Sequence, residues 1–73
     1  MAFVLINAEV GSEDEVLINL RAIPCVKEAH KVYGVYDIIA RIEAESMDAL
    51  KESISNNVRS LENVRSTLTM VVY

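Results

Sequence analysis

The chain has 73 residues, 52% of them hydrophobic, with eleven acidic and seven basic side chains and a formal charge of −4. Its lysines and arginines stand singly, so no cationic stripe is available to neutralise phosphates, and nucleic acid is not an expected partner. One cysteine, Cys25, and one histidine, His30, exclude an internal disulfide and are too few for a zinc centre; no apolar run reaches the ~20 residues of a membrane span, and no secretion signal opens the chain.

These features predict one soluble, cytoplasmic domain over residues 1–73, without metal or cofactor. A domain this small buries only about 60% of the surface its unfolded chain exposes. The apolar excess therefore predicts that part of the surface meets another subunit.

Residues 3–10 alternate, with Val4, Ile6, Ala8 and Val10 on one side and Phe3, Leu5, Asn7 and Glu9 on the other. This is the pattern of a strand with one fully buried face, ended by Gly11. Ser12-Glu13-Asp14-Glu15 reads as a capping box with an acidic first turn that suits the positive end of a helix dipole. Val16, Leu20 and Ile23, flanked by Leu17, then share one helical face, with Ile18 opposite, and Pro24 ends the helix. Residues 26–33 form a weaker strand in which Lys27, Glu28, His30 and Lys31 break strict alternation, as suits a sheet edge.

After the turn at Gly34, Tyr36, Ile38, Ala40, Ile42 and Ala44 alternate with charged residues and Ile39, the clearest strand in the chain. Ser46 is the expected N-cap of a helix over residues 47–59, whose stripe is Met47, Leu50, Ile54, Val58 and Leu61. Residues 64–73 close the chain with Leu68, Met70 and Val72 on one face and Arg65, Thr67, Thr69, Val71 and Tyr73 on the other. Met47 and Met70 read as core residues, and Cys25 as a small apolar residue at a helix–strand junction.

The order β-α-β-β-α-β is the split arrangement of the ferredoxin-like fold, an α+β sandwich. It predicts an antiparallel sheet in strand order 4-1-3-2 with both helices on one face. The uncovered face would carry Phe3, Leu5, Ile39, Val71 and Tyr73, and a second copy is expected to pack there. At the middle of the chain, Val32-Tyr33-Gly34-Val35-Tyr36-Asp37 sets two aromatic rings and a carboxylate around one flexible glycine. Such a turn either only reverses the chain or presents hydrogen-bonding groups to a ligand.

With order and turn placed, the whole chain resembles the effector-binding, or RAM, domain of the Lrp/AsnC family, the feast/famine regulators of amino acid metabolism. The resemblance is carried by Gly34-Val35-Tyr36-Asp37 at the second hairpin, by the flanking strands at residues 26–32 and 36–42, and by the closing strand at residues 64–72. It implies a homodimer through the sheets, assembly of dimers into rings such as octamers, and a small effector, usually an amino acid, bound between dimers. Carried over by position, the resemblance puts Tyr33, Gly34, Val35, Tyr36 and Asp37 at the effector, with Ser66, Thr67 and Thr69 contributing. Asp37 suits an ammonium, and backbone amides near Gly34 suit a carboxylate.

Regulators of the family carry an N-terminal helix-turn-helix, which these residues lack. The expectation is a stand-alone module that joins full-length Lrp/AsnC regulators in mixed oligomers. Two alternatives stand beside it: a small ferredoxin-like dimeric enzyme with His30 as general base, and a purely structural oligomerisation unit. No nucleophile or phosphate-binding loop accompanies His30, so no catalytic residue is assigned.

Overall fold

In the computed structural model, which describes residues 1–72, the elements run β1 (Ala2–Ala8), α1 (Glu13–Arg21), β2 (Val26–Lys31), β3 (Ile38–Ile42), α2 (Met47–Ser53) and β4 (Val64–Val71). The four strands form one antiparallel sheet in the order β2-β3-β1-β4. That is the expected 4-1-3-2 order of the ferredoxin-like fold, counted from the other edge. Among the described residues no helix is long and apolar enough to cross a membrane.

The alternation in β1 and β3 decides where the core lies. Ala2, Val4 and Ile6 of β1 and Ile38, Ala40 and Ile42 of β3 are fully buried on the face that the helices cover. Against them pack Val16, Leu17 and Leu20 of α1, Leu50 of α2, and Ile54 and Val58 of the helical turn that continues it. Each of the larger side chains contributes about 1.5–3 kcal/mol by leaving water. Ile18, on the far side of α1, is exposed as its spacing predicts.

The broken alternation of β2 has a physical origin in a bulge. Val26 pairs with Ile42 and Glu28 with Arg41, so Lys27 is the extra residue. Val26 and Ala29 can then both face the core although they are three positions apart. The α2 stripe is also real, but the helix changes character within it. From Ile54 to Val58 the chain is π-helical, with Arg59 N donating to Ile54 O at 3.1 Å.

Several expectations require correction. Strand β1 stops at Ala8, and Val10, expected on its buried face, is 89% exposed. Glu9 N donates instead to Asn63 O, and the chain turns at Gly11. Ala44 likewise lies beyond β3 and is exposed. No capping box forms, because the Ser12 side chain makes no capping bond and the Glu15 carboxylate accepts from Asn63 Nδ2.

The faces of β4 are also reversed from the expected arrangement. Leu68 pairs with Leu5 and Met70 with Phe3, so Leu68, Met70 and Val72 lie on the uncovered face, half exposed. Val71 pairs with Ala2 on the helix side and packs against the core. Met70 is therefore not a core residue. Tyr73, expected on the uncovered face, lies outside the described residues.

Ser46, by contrast, caps α2 as expected, its side chain accepting from Ala49 N at 3.1 Å. The two serines give a direct test by urea unfolding. Ser46→Ala should cost about 1 kcal/mol, whereas Ser12→Ala should stay within about 0.5 kcal/mol of the parent.

Candidate functional site

The β2–β3 hairpin is closed by the pairing of Lys31 with Ile38 and by Val32 N donating to Asp37 O at 2.9 Å, which leaves residues 33–36 as its loop. Gly34 sits in the loop at φ +137°, where a side chain would be strained even though the space around it is open. Tyr33 and Val35 project into solvent, and Tyr36 is half-buried.

Asp37 fixes this loop to the end of the central strand. Its amide donates to Ile6 O at 3.0 Å, and its Oδ2 accepts from the amide of Ala8 at 3.1 Å. The side chain thus continues the β3–β1 ladder by one bond after the backbone has turned away. Its other oxygen has no partner among the described residues.

Two shallow clefts open on either side of Asp37, each about 410 Å³. The first lies between the start of α1 and the hairpin, lined by Glu13, Asp14, Lys31, Val32, Tyr33 and Asp37. Lys31 Nζ donates to Asp14 across it at 2.6 Å, and this bond pushes the ammonium pKa above its ordinary value. The second is walled by Asn7, Val10, Glu13, Val35, Arg65 and Ser66. Asn7 Nδ2 donates to Ser66 Oγ there, at 3.3 Å.

A second bulge shapes this second cleft. Asn7 pairs with Ser66 and Ala8 with Val64, so Arg65 is left out of the ladder. Residues displaced in this way have their side chains re-aimed at the end of a sheet.

The structure therefore brings Tyr33, Val35, Asp37 and Ser66 to one end of the sheet, around Asp37. Gly34 and Tyr36 belong to the same loop but line neither cleft. Thr67 and Thr69 are placed apart from them, opposite Ile6 and Val4 on the helix-facing side of β4, and the hydroxyl oxygen of Thr69 is buried without a hydrogen-bond partner. Asn7, Val10, Glu13 and Arg65 also line the second cleft and were not singled out as site residues from the sequence. The bulge that sets Arg65 there leaves no mark in the sequence pattern. His30 is exposed on the edge strand, opposite Ile39.

A sequence model of the Lrp/AsnC ligand-binding domain matches residues 1–73. The chain belongs to that family. The Lrp/AsnC assignment agrees with a solved structure, FFRP-DM1, which superposes with a TM-score of 0.94 at 38% identity, covering 99% of this chain and 96% of the other. The HTH-type transcriptional regulator FL11 of Pyrococcus furiosus is 32% identical over 72 residues, 99% of this chain and 47% of the regulator. A stretch of the homocitrate synthase of Sulfurisphaera tokodaii is 42% identical over 53 residues, 73% of this chain but 11% of the synthase. The chain thus spans about half the length of the regulator and about a tenth of the synthase.

The bond from Ala8 to Asp37 separates charge from structure at the centre of the site. Asp37→Ala leaves the buried Ala8 amide without an acceptor and should cost about 1–3 kcal/mol in urea unfolding. Asp37→Asn keeps an oxygen acceptor and should lose less than half as much. Equal losses in the two variants would show that the charge, not the acceptor, holds the loop.

Proposed function

We propose that this chain is an effector-binding and oligomerisation module of the Lrp/AsnC type, binding a small molecule such as an amino acid beside Asp37 and without enzymatic activity of its own. The observation that carries this reading is the junction of loop 33–36, Asp37 and Ser66 at one end of the sheet, where two clefts share the carboxylates of Asp37 and Glu13. The effector contacts are assigned to Tyr33, Gly34, Val35, Tyr36, Asp37 and Ser66, and Thr67 and Thr69, on the helix-facing side of β4, are left out of them. The module would work by handing a ligand-dependent change in assembly to whatever it joins. Its relatives support that division of labour, since similar stretches occur within an HTH-type transcriptional regulator and within a homocitrate synthase.

The uncovered sheet face is assigned to a homodimer. Phe3, Leu5, Ile39, Leu68, Met70 and Val72 form an apolar field on it. Beside Phe3, Arg41 holds Glu28 and Glu43 in ion pairs, and the guanidinium draws the Glu28 carboxyl below its usual pKa. An apolar centre with a charged rim is the composition of a stable interface. Dimers are then assigned to larger rings with the effector between them, and mixed assembly with full-length regulators follows the same contacts.

Thermal unfolding against the standard amino acids, with mass by light scattering on the same samples, tests the reading. An effector at 100 times its dissociation constant should stabilise the folded form by ~2.7 kcal/mol per site. Asp37→Asn should lose that stabilisation. Leu68→Lys should reduce the measured mass to that of a monomer, and an unchanged mass would remove the sheet face from the interface.

A further inference from the structure

The second cleft has an electrostatic pattern that neither the loop residues nor the family match explains. On one wall stands Arg65, an arginine with no ion-pair or hydrogen-bond partner among the described residues. On the other stand two carboxylates, Asp37 and Glu13. The other arginines at the sheet are by contrast occupied, Arg41 by two glutamates and Arg21 by the Ala29 carbonyl of β2. A guanidinium is permanently charged and offers a rigid fork of donors that matches a carboxylate in a bidentate fashion.

The placement of Arg65 has a definite cause. Without the bulge, residue 65 would continue the alternation of β4 and its amide and carbonyl would enter the ladder. The skip from Asn7–Ser66 to Ala8–Val64 removes it from that register at the same end of the sheet where Asp37 is bonded to Ala8. Two irregularities, one on each flank of β1, thus bring a cation and an anion to the same cleft. Between them Ser66 offers a hydroxyl, and the exposed side chains of Val10 and Val35 supply apolar walls.

Resting on the effector-binding reading, we propose that Arg65 is the carboxylate anchor of this site. An α-amino acid lies in the second cleft with its carboxylate on the Arg65 guanidinium and its ammonium toward the free oxygen of Asp37 and the Glu13 carboxylate. Its side chain contacts Val10 and Val35. This assigns the carboxylate to a side chain on β4, in place of backbone amides of the hairpin loop, and makes the anion-binding half of the site a product of the bulge.

The test compares L-amino acids with their α-carboxamides, which keep the ammonium and the side chain but lose the carboxylate charge. Dissociation constants are measured by calorimetry on the full chain and on Arg65→Gln and Arg65→Lys. The wild-type protein should bind its preferred amino acid about 10- to 100-fold more tightly than the matching carboxamide, the range expected for one charge-assisted contact. Arg65→Gln should lose that factor and bind the two alike, Arg65→Lys should fall between, and the melting temperatures without ligand should match the parent.

If no amino acid binds the wild-type protein, the effector-binding reading fails and the anchor with it. If an amino acid binds wild type and Arg65→Gln equally, the reading stands and the anchor is overturned. Should Arg65→Gln not fold, the wild-type carboxamide comparison and Arg65→Lys decide. Wild-type affinities equal for acid and amide overturn the proposal.

Discussion

Two short helices can cover one face of a four-stranded sheet and no more. In this protein that limit follows from chain length, and much else follows from it. The residues of β1 and β3 that face the helices are small or branched and fully buried, from Ala2 to Ile6 and from Ile38 to Ile42. Those that face away, Phe3, Leu5 and Ile39, are apolar too, yet among the described residues no element packs over that face. A monomer would leave this field in water, where each exposed aliphatic group forgoes burial worth on the order of 1 kcal/mol or more. This exposed field is what the proposed homodimer would cover.

The ends of the sheet obey a different constraint, the need to satisfy backbone groups where strands part. At the β1 terminus, Asp37 answers it with a carboxylate oxygen on the Ala8 amide, and Asn63 answers it on the other side by accepting from Glu9. Asn63 does so at φ +67°, a conformation asparagine tolerates better than most residues. The loop that looks most like a binding element is therefore also a structural clasp. Its charge is held in place by the strand it terminates, so the ligand contact proposed there would be preorganised without a rigid second layer.

Most of the architecture was legible in the residue pattern because β1, β3 and both helices each have one unambiguous apolar face. Strand order followed, since the charged β2 could only lie at an edge. Strand β4 was misread for a reason of the same kind. Both its faces carry residues that tolerate burial, threonines with Val71 on one and Leu68, Met70 and Val72 on the other, so periodicity could not say which turned inward. The Arg65 bulge then settles the register, and a one-residue slip exchanges the faces of a strand. At the site, the loop and Asp37 were visible as an unusual turn. Arg65, Glu13 and Asn7 were not, because what joins them is the meeting of strand ends far apart in sequence. The Glu15 half of the missing capping box has a long-range cause: the Glu15 carboxylate accepts instead from Asn63, at the far end of the sequence.

The two edges of the sheet are chemically unlike. Strand β2 carries Lys27, Glu28, His30 and Lys31, whereas β4 has no charged side chain from Ser66 through Val72. Uncharged edge strands are the natural templates for adding further strands, and charged, bulged ones resist it. Colloidal behaviour should inherit this asymmetry. A second copy added edge to edge along β4 would leave β2 at both outer margins of the joined sheet, and growth in that direction would stop at two, so fibrillar extension is blocked by the strand that looked weakest.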